Sequence, residues 1–158
     1  MLKIITKPNP VLRQECRKLE ADEIKTQEIQ ELIKQMIPCM RSQDGAGLAA
    51  PQVGRPLQIC IISKEFIKNQ ATDLVLINPK WKRRSIFKVL DEEGCLSVPK
   101  IFGKVKRYKK IKLEALDENG QEIQLTAQGF FARIIQHEVD HLHGILFIDK
   151  SNEFRRVE

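Results

Sequence analysis

The stretch Gln136-His137-Glu138-Val139-Asp140-His141 constrains this chain more than any other. On an α-helix, residues four apart share a face, one turn apart. His137 and His141 can therefore aim two imidazoles at one divalent metal. Glu138 lies about 100° round the helix from His137. Its carboxylate can reach a water on that metal without being a ligand, as in helices where two histidines bind and a glutamate is the general base. Phe130-Phe131-Ala132-Arg133-Ile134-Ile135 leads in, and Leu142, Ile145, Leu146 and Phe147 follow. Such a helix runs through a core, where each polar group needs a partner. The competing reading is a pair of ordinary core histidines satisfied by hydrogen bonds.

A two-histidine site needs a third protein ligand and an open position for water. The metzincin pattern His-Glu-x-x-His-x-x-Gly-x-x-His fits up to Gly144, but its last position is Phe147, which binds no metal. Downstream, Glu153 and Glu158 lie close to the chain end, and His143 sits about 200° from His141 on the helix. The search therefore moves upstream. Cys95 is the best candidate, because a thiolate suits Zn(II) or Fe(II) and this cysteine alone sits in a Gly-containing, non-periodic segment. A buried structural cysteine and a histidine-paired nucleophile remain the alternatives.

The 158 residues suit one domain with a real core. At 42% hydrophobic and 30% charged, with no apolar run of membrane-spanning length, the chain reads as a globular protein without a membrane partner. Met1 to Thr6 lacks the apolar core of a signal peptide, and nothing like an organelle transit peptide precedes Leu2. The expectation is a cytoplasmic protein, in a bacterial cytosol. Cys16, Cys39, Cys60 and Cys95 show no paired spacing, as expected of free thiols or ligands. The net charge of +6 bunches at Lys80 to Arg84 and Lys104 to Lys112. These runs read first as solvated strand faces; a loose attraction to ribosomal RNA is the other reading.

Along the chain, Asn9 is placed to cap a short turn starting at Pro10. Ile24, Ile29, Leu32, Ile33, Met36 and Ile37 predict one helix from Ala21 to about Met40, capped by Asp22 and kinked or ended by Pro38. Gly45-Ala46-Gly47-Leu48-Ala49-Ala50-Pro51-Gln52 is either a plain loop or an extended segment offering backbone groups to a peptide, with Gln52 adding an amide donor. Leu57 to Ser63 and Asp73 to Asn78 read as strands, with a turn at Asn78-Pro79. Ser85 to Leu90 alternates, and Asp91 to Pro99 has site-like composition. Lys104 to Leu116 reads as one long strand, Asp117-Glu118-Asn119-Gly120 as a hairpin turn and Glu122 to Thr126 as its partner. The motif helix is expected from Ala127 to His143, stopped by Gly144. A short apolar segment and a charged end follow. These elements predict an α+β fold, with antiparallel strands packed around a central metal-binding helix.

Three of these stretches together resemble the peptide deformylase family: Gly45 to Gln52 as Gly-x-Gly-x-Ala-Ala-x-Gln, Glu93 to Ser97 as Glu-Gly-Cys-x-Ser, and Gln136 to His141 as Gln-His-Glu-x-x-His. The likeness extends to Asn78-Pro79, Gly103-x-Val105-x-Arg107 and Asp140-His141-Leu142-x-Gly144, and covers most of the chain. It implies that Cys95, His137 and His141 hold one divalent metal, Fe(II) in the native state, replaceable by Zn(II), Ni(II) or Co(II). It implies hydrolysis of the formyl group from formyl-methionyl peptides, the nascent chains, with release of formate. Glu138 would be the general base, with Gln52 and the Leu96 N–H stabilising the oxyanion. By the same likeness the peptide lies along Gly45, Ala46, Gly47 and Leu48. Glu93, Gly94 and Arg107 brace or line the site. Phe130, Arg133 (through its aliphatic stem) and Ile134 form the methionine pocket. Phe102 stands where some members carry an arginine. The chain stops at Glu158, without the long tail some members use to dock on the ribosome, so only weak ribosome association is expected. Oligomeric state is not legible. The rival readings are a zinc peptidase cutting internal bonds, which lacks its downstream ligand, and a peptide- or RNA-binding module with a structural metal, which would need a fourth protein ligand.

Overall fold

The computed structural model describes residues 1–158. Its elements follow the hydrophobic patterns, with corrections where long-range partners intervene. Asn9 does cap the first turn: its Oδ1 accepts from Val11 N at 3.0 Å, over the 3₁₀ turn Pro10–Arg13. The single helix expected from Ala21 is two. α1 (Ala21–Ile24) is one turn, held by the Glu20 N–H donating to Glu23 at 2.6 Å. α2 (Gln27–Ser42) starts afresh, with the Thr26 hydroxyl, rather than Asp22, as its cap. Pro38 neither ends α2 nor disturbs its buried stripe. It sits on the exposed face, away from the apolar stripe.

Two antiparallel sheets follow. The first has the order β1 (Gly47–Ala49), β2 (Ile59–Ile62), β3 (Leu74–Arg83), β6 (Lys110–Leu116) and β7 (Glu122–Gln128). The second has the order β4 (Lys88–Cys95), β5 (Val98–Tyr108) and β8 (Ser151–Arg156). Asn78-Pro79 is not a turn. β3 runs through it as a bulge, with Asn78 at φ 51° and the register slipping between Ile77 and Lys80. The Asn78 amide closes a two-way bond with the Leu19 backbone, 2.9 Å each way, which stabilises the unusual conformation. The expected long strand from Lys104 breaks at Lys109 and serves both sheets, because Gln136 binds both backbone groups of Tyr108 and turns the chain there. The charged end, to which the sequence assigns no element, is β8. It pairs with β5, an edge whose need for a partner is invisible in the local sequence.

α3 (Gly129–Leu142) is the central helix. It packs Ala132, Ile135, Val139 and Leu142 against Cys60, Ile62, Leu76, Ile111 and Leu113 of the first sheet. α2 covers part of that sheet's other face, with Leu32, Ile33 and Met36 on Ile59, Ile61 and Val75. Gly144, at φ +72°, ends the helix. Only a glycine fits, since a Cβ would lie 2.5 Å from the Arg13 carbonyl oxygen. The architecture is α+β with antiparallel sheets about a central helix, as expected. No helix is long and apolar enough to cross a membrane.

Candidate metal centre and groove

α3 presents His137 and His141 on one face. The β4–β5 hairpin, which turns at Leu96 and Ser97, brings Cys95 opposite them. Cys95 Sγ lies 3.3 Å from His141 Nε2, and the three ligand atoms all lie within 4.8 Å of one another. Bonds of 2.0–2.3 Å to a tetrahedral metal put neighbouring ligands roughly 3.3–3.7 Å apart, so this donor set fits a metal. Its surroundings fit as well. His137 Nδ1 bonds Glu93 at 2.8 Å, which fixes the ring and turns Nε2 inward. Burial lowers the His141 pKa, keeping the ring neutral as a ligand must be. Burial also works against charge on His137, but hydrogen bonding to Cys95 and Glu93 outweighs it and raises that pKa. No fourth protein ligand joins the cluster.

Glu93 is the hub behind the metal ligands. Burial would raise its pKa; bidentate bonds from Arg107, both 2.9 Å, together with His137 hold it far below the usual carboxylate range. Arg133 Nη1 adds a third cationic contact at 2.6 Å. Arg107 also binds Asp140 at 2.6 Å, and Lys150 reaches the same carboxylate at 2.9 Å. Glu93 and Arg107 are thus a buried pair, not two surface charges. Asp140 and Lys150 were not foreseen as part of it. The only sequence signal was Asp140 falling between the two histidine turns.

Glu138 is fully enclosed. Burial pushes its carboxyl up to about 7 against the pull of His137, and its Oε2 has no hydrogen-bond partner. The residue facing it is Gly47, where a Cβ would stand 2.8 Å from Glu138 Oε1. That contact explains one glycine of the small-residue stretch: the carboxylate occupies the room of a side chain. Gln52 is steered from both ends. Its Oε1 accepts from Ala49 N at 2.9 Å, leaving Nε2 to face Ser97 Oγ at 3.1 Å and Cys95 Sγ at 3.6 Å. The Leu96 N–H, in the hairpin turn, is taken by no other backbone group. Ser97, fully buried, is a further site residue that sequence reasoning left out.

A groove of about 440 Å³ opens onto this centre. Gly45, Ala46, Gly47, Gln52, Glu93, Gly94, Cys95, Leu96, Phe130, Arg133, Ile134, His137 and Glu138 line it, together with Phe102. Three predicted residues do not. Leu48 points into the core against α2, Arg107 stands behind the wall, and His141 lies beneath. Arg133 does more than lend its stem. Besides Glu93, its guanidinium donates to the Val105 and Val89 carbonyls at 2.9 and 2.6 Å, tying α3 to both strands of the hairpin. The groove runs between β1 and β4, each the edge of its sheet.

Comparison with known proteins agrees with this arrangement. A family model described as polypeptide deformylase matches residues 1–157. A tomato protein named peptide deformylase 1A, chloroplastic, is 39% identical over 98% of this chain, which spans only 62% of that relative's length. The peptide deformylase of Desulfotalea psychrophila is 40% identical, over 99% of this chain and 90% of its own. The crystal structure of a peptide deformylase from Synechococcus elongatus in complex with actinonin superposes with a TM-score of 0.85. Its sequence is 40% identical, and the match covers 96% of this chain and 79% of that one.

Proposed function

The chain belongs to the polypeptide deformylase family, and from that premise we propose that it hydrolyses the N-terminal formyl group of formyl-methionyl peptides, releasing formate. One observation carries the reading: an unpartnered, buried Glu138 carboxylate in the same groove as the Cys95–His137–His141 cluster. Cys95, His137 and His141 would hold a divalent metal, which supplies Lewis acidity and lowers the pKa of water. We take Fe(II) as the native ion, with Zn(II), Ni(II) or Co(II) able to replace it; thiolate and imidazole ligands accept all of these.

In this scheme water adds its oxygen to the formyl carbon, and Glu138 takes the proton. A carboxyl with a pKa near 7 can hold that proton and then return it to the amine as the C–N bond breaks. Formate and a free amino terminus leave. Gln52 Nε2, already oriented by Ala49 and Ser97, and the free Leu96 N–H donate to the oxygen as it gains charge. The peptide lies extended between the two edge strands, an added strand in the manner of β-augmentation. Phe130, Arg133 and Ile134 receive the methionine side chain. Glu93 and Arg107 act from behind by holding His137. The Synechococcus relative was crystallised in complex with actinonin, which supports ligand binding by this fold.

The substrate reading extends to nascent chains, and so to loose ribosome association. The four unpaired thiols support work in a reducing compartment, a bacterial cytosol. The test is formate release from a short formyl-Met peptide by anaerobically prepared, Fe(II)- or Ni(II)-loaded protein, with Glu138→Ala alongside. Turnover that disappears in a variant still binding metal supports the scheme. A fully loaded wild type that releases no formate overturns it.

A further inference from the structure

One face of the first sheet is covered only in part. α2 packs on Ile59, Ile61, Val75 and Ile77. Past the bulge at Asn78 the same face continues over the end of β3 and across β6 and β7, where Lys80 pairs with Glu114 and Lys82 with Lys112. The Arg84 N–H donates to the Lys110 carbonyl at 2.8 Å, which extends the register and sets those two cations side by side. Lys82, Arg84 and Lys110 are exposed and Lys112 half-buried. Glu114 is occupied by Lys80 at 3.5 Å, and Lys82, Arg84, Lys110 and Lys112 take part in no ion pair. Glu122, at the far end of β7, is the other carboxylate on this face.

This arrangement works against the sheet's own stability. Like charges directly opposite one another destabilise a strand pair. The grid, about 5 Å across strands and 7 Å along them, lies within one Debye length at physiological salt, about 8 Å. Lysines guard edge strands against pairing, and the end of β3 past Ile77, where β2 stops, is such an edge; Lys110 and Lys112 of the interior β6 have no such role, and β7 contributes Gln124, Thr126 and Gln128 here. The apolar residues of this face, Ile77 and Leu116, pack with the α2 cluster, while Ile86 and Phe87 stand exposed just past Arg84, outside the β3–β6–β7 face. What the face offers is four unpaired cations beside neutral hydrogen-bonding side chains, a match for sugar-phosphate.

We propose that this open β3–β6–β7 face binds the phosphodiester backbone of RNA, without reading its sequence. The groove lies at the opposite edge of the sheet, at β1, so bound RNA leaves it open. The inference gives the ribosome association proposed above a surface, and does not depend on deformylation.

The test is fluorescence anisotropy of a short labelled single-stranded RNA with the full-length, metal-loaded protein across a salt series. Four phosphate contacts give a log–log salt slope of about −2.8, or roughly a 50-fold loss of affinity between about 50 and 200 mM salt. K82Q/K112Q halves the slope to about −1.4 and weakens binding roughly 70-fold at the lower salt and roughly tenfold at the higher. Its melting temperature equals or slightly exceeds that of the wild type, since like-charge repulsion is relieved, and its turnover of a short formyl peptide is unchanged. K104Q/K106Q removes the same charge from the other sheet and keeps wild-type binding. Three results overturn the proposal: no salt-dependent RNA binding, an equal loss in K104Q/K106Q, or capture by phosphatidylglycerol vesicles but not by RNA. Protein that binds RNA as described yet releases no formate supports this inference and counts against deformylation alone.

Discussion

Replacing Gly47 by alanine tests whether the position of the Glu138 carboxylate is what the site depends on. The backbone at Gly47 has no positive φ, so alanine meets no conformational barrier there. The obstacle is the new Cβ, which would stand 2.8, 2.9 and 3.0 Å from Oε1, Cγ and Cδ of Glu138. Ordinary contact begins near 3.4 Å, so the carboxylate must retreat by about 0.6 Å inside a buried pocket. Displacements of this order at a reacting group cost about 10²-fold, and loss of a general base costs 10²–10⁴-fold. Gly47→Ala should therefore lower kcat/KM for formate release by about 10²-fold while metal content stays full. Overpacking should cost about 1–2 kcal/mol in urea unfolding, partly offset by about 0.5 kcal/mol from a less flexible unfolded chain. The decisive measurement is the double-mutant cycle. In a Glu138→Ala background the clash is gone, and Gly47→Ala should be neutral or slightly stabilising. If Gly47→Ala keeps activity within about threefold of wild type, or costs the same stability in both backgrounds, the steric reasoning is wrong.

Other perturbations probe other parts of the structure. Arg107→Met leaves Glu93 and Asp140 buried without their shared cation and should cost about 3–5 kcal/mol in denaturant unfolding. Glu93→Gln weakens the anchor of His137 and should lower metal affinity about 10–100-fold in a chelator competition. After chelation, a thiol reagent should label Cys95 alone in the folded chain, as read by mass spectrometry. Cys60 is fully buried, Cys16 is pushed up to about 11 by burial and by the Glu15 charge, and Cys39 is raised by burial. Adding metal should abolish that labelling. Hydrogen bonding to Arg13 holds the Asp149 carboxyl below its ordinary 3.8. Because the folded pKa is depressed, its stabilisation is present above pH 3.8 and lost as pH falls through the folded value. Asp149→Asn should thus destabilise by up to about 1 kcal/mol near neutrality, with the difference closing in acid melts.

The sequence by itself determined what short-range rules govern. A four-residue spacing places His137 and His141 on one helix face wherever that helix ends up. Asn9, Asp117-Glu118-Asn119-Gly120 and Gly144 impose their cap, turn and stop through bonds to near neighbours. Apolar periodicity marked β2, β7 and most of α2 correctly, because each buries one side on a fixed period. Three separated motifs named the residues that the fold gathers: the Cys95–His137–His141 cluster, Glu138 and most of the groove lining.

Only the tertiary structure decided matters settled by partners far along the chain. Alternation from Lys104 to Leu116 is unbroken, yet Gln136 bends it at Tyr108 and assigns its halves to different sheets. Nothing local in Ser151–Arg156 foretells a strand; the open edge of β5 supplies the missing hydrogen bonds. For Glu93 and Arg107 the sequence leaves a bracing pair and two unrelated surface charges equally open; burial with Arg133, His137 and Asp140, which converge on them from α3, decides for the pair. Lys82 and Lys112 become a facing cationic pair only when the Asn78 bulge sets their register and α2 stops short of covering them. Periodicity says which side of an element is buried. It does not say what lies against that side, and the energies of buried charges, paired strands and shared cavities depend on the answer.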